Sequence, residues 1–127
     1  MSIQTDIVIL GASPNPNGIS NTVVRYLKNK GMRVWPVSVT NQATDKAHST
    51  NVYSDEILQE IEKVDTVSIF INPTRQKKYY DYLLQIKPRC IVFNPGTENE
   101  ELIQLATKHH IKIVKGCTIA MYIAGIL

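Results

Sequence analysis

The stretch Gly11-Ala-Ser-Pro-Asn-Pro-Asn-Gly18 has the composition of a loop that could hold an anion with its backbone rather than with charged side chains. It follows a short β-branched apolar run, Asp6 to Leu10, and leads into helical apolar spacing at Val23, Val24 and Leu27. Gly11, small Ala12 and Ser13 let the main chain come close to a ligand. Gly18 stands at the mouth of a helix whose first amides, at Ile19, Ser20 and Asn21, have no partner inside it. Such N–H groups, together with the positive end of the helix dipole, suit a phosphate. The plainer reading is a strand-to-helix turn that happens to contain glycine, but the small, turn-forming character of the whole loop favours the phosphate.

The type of phosphate ligand is constrained by what is missing. The dinucleotide fingerprint Gly-x-Gly-x-x-Gly fails, because Ser13 occupies its second glycine position and Gly18 comes too late. The second apolar run ends Pro36-Val-Ser-Val-Thr40, and the first carboxylate after it is Asp45, so the acid that would hold an adenosine ribose is absent. Uncharged Ser38 and Thr40, with Lys46 nearby, would not repel an additional phosphate there. No GxxxxGK[ST] pattern occurs, which removes support for nucleoside triphosphate hydrolysis. An NAD(P)-binding oxidoreductase or redox-sensing module is the second reading, and both missing features count against it.

Other reactive residues have plainer explanations. His109 and His110 point about 100° apart if helical, so they make a poor metal pair and suit a helix C-terminus instead. His48 lies beside Ser49 and Asp45 in a polar loop, and a triad contiguous in sequence is rarely one in space. Tyr79, Tyr80 and Tyr82 follow Arg75, Lys77 and Lys78, which fits a core-and-rim helix better than a base-stacking platform. Cys90 and Cys117 lie 27 residues apart with no CxxC pairing, which predicts two reduced, mostly buried thiols and no bound metal.

The elements that must position the loop can be read along the chain. Strands are expected over Asp6–Gly11, Arg33–Val39, Thr66–Ile71, Cys90–Phe93 and Ile111–Val114, with Pro36 marking a bulge or an edge. Helices are expected from Ile19, from Asp55 behind a Ser54 cap, along Tyr79–Ile86, and from Glu98 through Ala106. The tail from Cys117 is expected to pack as a terminal turn or helix. Alternating strands and helices with short connections predict an α/β, Rossmann-like three-layer sandwich with a mainly parallel sheet of about five strands. Ligands of such sheets bind beyond the strand C-termini, which selects GASPNPNG, TNQATDK, NPTRQ and NPGTEN.

Composition bounds the rest. The 127 residues, 43% hydrophobic and 20% charged, predict one domain spanning 1–127. A net charge of +3 falls short of the basic stripe that a duplex needs, so nucleic acid is not an expected partner. Asp6 precedes the first apolar run and no basic segment leads it, so neither a signal peptide nor a membrane span is expected, and a cytoplasmic protein is.

The residues GASPNP after the first strand, then V-W-P-V, S-I-F-I-N-P, F-N-P-G-T-E-N-E-E and a closing K-G-C together resemble a known family. It is that of the small stand-alone CoA-binding proteins, relatives of the CoA-binding domain in the succinyl-CoA synthetase α subunit and in ADP-forming acyl-CoA synthetases. The resemblance covers essentially the whole chain. It implies coenzyme A, or an acyl-CoA, as ligand of a non-catalytic or accessory module; a partner enzyme or self-association would be compatible with that role. It implies that Gly11, Ala12, Ser13, Asn15 and Ser20 wrap the CoA diphosphate. Ser38, Val39 and Thr40 would approach the adenosine end, Asn72 and Pro73 occupy the turn after the third strand, and Asn94, Pro95 and Gly96 lie near the pantetheine arm. The chain departs from the family where Val37-Ser38-Val39 replaces Val-Asn-Pro and where Val92-Phe93-Asn94-Pro95-Gly96 replaces Trp-x-Gln-Pro-Gly. The synthetases' phosphohistidine belongs to a second domain that 127 residues would not accommodate.

Overall fold

Five strands form one sheet whose inner members carry almost nothing but buried apolar residues. A computed structural model of the protein describes residues 6–39 and 52–125. β1 (Asp6–Leu10) is followed by α1 (Ile19–Asn29) and β2 (Arg33–Val37), then, beyond a 3-10 helical segment at Asp55–Glu60, by β3 (Thr66–Ile69). α2 (Pro73–Gln76), a 3-10 turn and α3 (Tyr80–Ile86) lead to β4 (Cys90–Phe93), and α4 (Glu100–Lys108), β5 (Lys112–Lys115) and α5 (Thr118–Ile123) complete the order. Every pairing is parallel and the spatial order is β2-β1-β3-β4-β5. This is the Rossmann-like α/β architecture expected from the sequence.

Alternation along β1 divides the core. Ile7 and Ile9 pack with Val23, Val24 and Leu27 of α1, and Ile119 and Tyr122 of α5 join them. Val8 and Leu10 face the other way, toward Leu83, Phe93, Leu102 and Ala106 beneath α3 and α4. The sheet is thus covered on both sides, which is why its central strands are mostly apolar on both faces, with Thr66 and Ser68 of β3 buried as exceptions. The chain's direction of travel reverses between β1 and β3, so a switch point opens at their C-terminal ends, where the first loop sits.

Several elements differ from the sequence reading. β2 and β3 stop two residues early, at Val37 and Ile69, because the chain turns there into the loops that line the crevice. Pro36 does lie on an edge strand, and the outer side of that strand is met by Tyr53, which exchanges backbone hydrogen bonds with Pro36 O (2.9 Å) and Ser38 N (2.8 Å). The segment after Ser54 is a 3-10 helix with no side-chain cap, not an N-capped α-helix; it ends after six residues at extended Ile61. The Asn72-Pro73-Thr74 stretch begins a helix rather than only punctuating the chain. Glu98 precedes α4, whose cap is Asn99, and β5 is displaced by one residue to Lys112–Lys115. No helix among the described residues is long and apolar enough to cross a membrane.

Candidate functional site

The first loop is a chain of small polar residues that satisfy one another. Leu10 ends β1, and the amides of Gly11 and Ala12 both donate to Val37 O, at 2.8 and 2.9 Å, which ties the loop to the end of β2. Gly11 has φ +99°, and a Cβ there would come within 2.6 Å of Ile71 Cγ2. The glycine is therefore demanded by close packing of the first and third loops as well as by any ligand. Ser13 N–H donates to Ser20 Oγ (2.9 Å), Asn15 N–H to Ser13 Oγ (3.1 Å), and Asn17 N–H to Asn15 Oδ1 (3.0 Å). Asn21 Nδ2 reaches back to Ser13 O at 3.3 Å. The N-cap of α1 is Gly18, no side chain caps the helix, and no acidic residue lies in its first turn. Its leading amides and dipole thus remain directed at the crevice.

Two clefts flank this loop and share Gly11, Ser13 and Phe70. The first, of about 320 Å³, lies between the loops after β1, β2 and β3 and is lined also by Ala12, Pro14, Ser38, Val39, Ile71, Asn72 and Arg75. The second, of about 440 Å³, runs toward β4 and β5 and adds Gly18, Ile19, Ser20, Asn94, Pro95, Thr97 and Cys117. One is small-residue and polar with, among the described residues, a single cation at its rim; the other presents Ile19, Phe70 and Pro95 as an apolar trough.

The floor of the second cleft is a buried hydrogen-bond cluster. Asn94 Nδ2 donates to Ser68 Oγ (2.8 Å) and Ile69 O (2.9 Å), while its Oδ1 accepts from the Thr118 amide and hydroxyl, both at 3.0 Å. Ser68 and Thr118 hydroxyls are 2.6 Å apart. Asn94 therefore locks the start of α5 against the sheet, and its amide groups are committed to the protein. A second cluster braces the third and fourth loops. Gln76 Nε2 donates to Ile71 O (2.9 Å) and Thr97 O (2.7 Å), and its Oε1 accepts from Asn99 Nδ2 (2.9 Å). Asn72 Oδ1 caps α2 by accepting from the Arg75 amide at 3.0 Å, with Pro73 preset at the first helical position.

Of the residues singled out in the sequence, Gly11, Ala12, Ser13, Ser38, Val39 and Asn72 meet in the first cleft, and Gly11, Ser13, Ser20, Asn94 and Pro95 in the second. Asn15, Pro73 and Gly96 line neither: Asn15 is exposed at the loop tip, Pro73 opens α2, and Gly96, at φ +91°, donates its amide to Glu98 Oε1. Thr40 lies outside the described residues, as do Asp45, Lys46 and His48. Cys117 is partly buried and lines the apolar cleft, whereas Cys90 is fully buried and desolvation pushes its thiol pKa up. Sequence reasoning missed Phe70 and Ile71 as lining residues, and placed Arg75 in a crevice loop, NPTRQ, without giving it a role. The Asn-Pro cap-and-start signal at 72–73 would have placed Arg75 in the first turn of a helix facing the crevice.

Charge around the clefts is sparse. No carboxylate lines either one among the described residues. Asp55, which lines neither, is held below the usual carboxylate range chiefly by the hydrogen bond from Lys78 Nζ (2.9 Å). The Tyr79 hydroxyl donates to Asp55 at 2.9 Å, and burial, then that carboxylate, pushes its pKa far up, so it is a fixed donor.

Comparison with known proteins agrees with this arrangement. Residues 5–123 match the family described as CoA binding domain. No curated protein matches the chain. A crystal structure of a protein described only as uncharacterized is 35% identical, covers 99% of this chain and 100% of its own, and superposes with a TM-score of 0.84. A hypothetical protein from Pyrococcus horikoshii OT3 (24% identity, 93% and 81% coverage, TM-score 0.78) and a Thermus thermophilus protein (22%, 95% and 90%, TM-score 0.82) share the fold. Since the family's pattern runs from the threshold of β1 to the end of α5, the chain belongs to the CoA binding domain family.

Proposed function

We propose that the protein binds coenzyme A, or an acyl-CoA, as a non-catalytic or accessory module, acting as a single domain over residues 1–127. The observation that carries this reading is the pair of unlike clefts meeting at Gly11 and Ser13. A ligand with a polar nucleotide, a central diphosphate and an apolar arm matches that sequence of surfaces, with the diphosphate against the first loop and the mouth of α1. The nucleotide would lie in the polar cleft beside Ser38 and Val39, and the pantetheine arm in the trough beside Pro95 and Cys117. A mononucleotide would fill only one half.

Thermal shift tests the assignment. A ligand that binds the folded state alone stabilises it by about 2.7 kcal/mol at a hundredfold excess over Kd. CoA is expected to raise the melting temperature by several degrees and NAD to leave it unchanged. A saturating shift with NAD and none with CoA would favour the oxidoreductase or redox-sensing alternative. As a family member with this charge balance the protein is proposed to act in the cytoplasm on a small-molecule ligand, without nucleic acid or membrane, alongside a partner enzyme or a second copy of itself.

A further inference from the structure

We infer that Arg75 selects ligands carrying a phosphate on the ribose, so that the polar cleft discriminates a phosphorylated nucleotide from the same nucleotide without that group. The inference rests on the nucleotide lying in the polar cleft. Of the ten described residues lining that cleft, Arg75 alone is charged. Its guanidinium makes no ion pair or hydrogen bond with any described residue; only its backbone amide is engaged, by Asn72. The other arginines differ: Arg25 donates to Pro16 O and Thr22 Oγ1, Arg33 lies near Asp6, and Arg89 pairs with Asp65.

The root of Arg75 is rigid. Asn72 caps the turn from which it springs, and fully buried Gln76, the next residue, fastens that turn to Ile71 and Thr97. The charged fork therefore extends from a fixed base beside Ser38 and Val39, the end of β2. Sheets of this type place the ribose near that strand end, where an acid favours free hydroxyls and an arginine accommodates a phosphate. Here the strand end is uncharged and the neighbouring loop supplies the cation. The diphosphate already has amides and a helix dipole in the first loop, so a planar, permanently charged donor across the cleft matches the remaining anion.

Titration calorimetry with CoA, dephospho-CoA, NADP and NAD, on the wild type, Arg75→Gln and Arg75→Lys, tests this. The side chain is exposed and the backbone amide survives substitution, so the variants keep the cap. The wild type is expected to bind CoA about tenfold or more tighter than dephospho-CoA. Arg75→Gln should lose most of that preference by weakening CoA alone, and Arg75→Lys should keep part of it. Raising salt should narrow the preference in the wild type and change little in Arg75→Gln. Equal affinity for both CoA forms in the wild type, or an Arg75→Gln preference as large as the wild type's, overturns the assignment. An equal loss for both ligands also overturns it, placing Arg75 on the diphosphate. Should NADP be preferred to NAD through Arg75 while neither CoA form binds, the CoA reading fails and the role of Arg75 stands; if none of the four binds, both fall.

Discussion

At the scale of single residues, Asn94 shows how a position that resembles a ligand contact can be committed to the fold. Its carboxamide joins β3, β4 and α5 through four hydrogen bonds, and among the described residues the buried hydroxyls of Ser68 and Thr118 are partnered by it and by each other. Asn94→Ala leaves these groups short of partners away from water, where each unsatisfied group costs about 1–3 kcal/mol. Denaturant unfolding of this variant is expected to show a loss of about 2–4 kcal/mol with an unchanged m-value. A loss under about 0.5 kcal/mol, the range of ordinary surface substitutions, would contradict the lock. In sequence, Asn94-Pro95-Gly96 has only the chemistry of a turn, because the partners that define its role lie 24 to 26 residues away.

At the scale of elements, legibility follows where the determining forces lie. β4 has the boundaries expected from the sequence because it is buried on both faces and a run of Cys, Ile, Val and Phe can do little else. α1 begins at Ile19 as expected, since a loop of prolines and glycine meets a clear helical period. The segment after Ser54 was misread because acids and a cap residue are local signals, whereas only Leu58 within it is buried, too few anchors to hold an α-helix. Cys117 is partly buried and reaches the cleft because of the gap between β4's loop and α1, which its neighbours in sequence do not define. The far end of the sheet has its own fastening: Asp65, just before β3, accepts from Arg89, just before β4, at 2.9 and 3.1 Å. The hydrogen bond from Arg89 is the main cause that lowers the Asp65 pKa below its ordinary 3.8, against partial desolvation. A carboxyl whose pKa is lower folded than unfolded adds stability above the unfolded pKa and loses it as pH falls through the folded one. The melting-temperature gap between wild type and Asp65→Asn should therefore be widest near neutrality and narrow as pH falls through the ordinary 3.8 toward the lowered pKa of the folded state. A gap independent of pH would show that the carboxyl's charge is not what joins the two strands.

At the scale of the whole molecule, the sheet separates the cleft thiol, Cys117, from the described histidines. Cys117 follows β5 on the crevice side, whereas His109 and His110 follow α4 at the opposite end of the strands, where His109 Nδ1 faces Leu105 O at 2.9 Å. Neither can take a proton from the thiol, and no carboxylate among the described residues lines either cleft. Purified protein given acetyl-CoA, with or without ATP and Mg²⁺, is accordingly expected to release no free thiol or ADP above background over hours; turnover that disappears in Cys117→Ser or His48→Ala would make it an acyl-CoA enzyme. The same sheet also governs how copies of the chain can meet. At one margin Pro36 withholds an amide and Tyr53 already engages Pro36 O and Ser38 N at the end of β2; at the other, β5 is only four residues long and carries exposed Lys112 and Lys115 at its ends. Both margins thus resist recruitment of a foreign strand, the first step toward fibrils, and any association of copies is left to the helical faces, where it need not disturb the crevice.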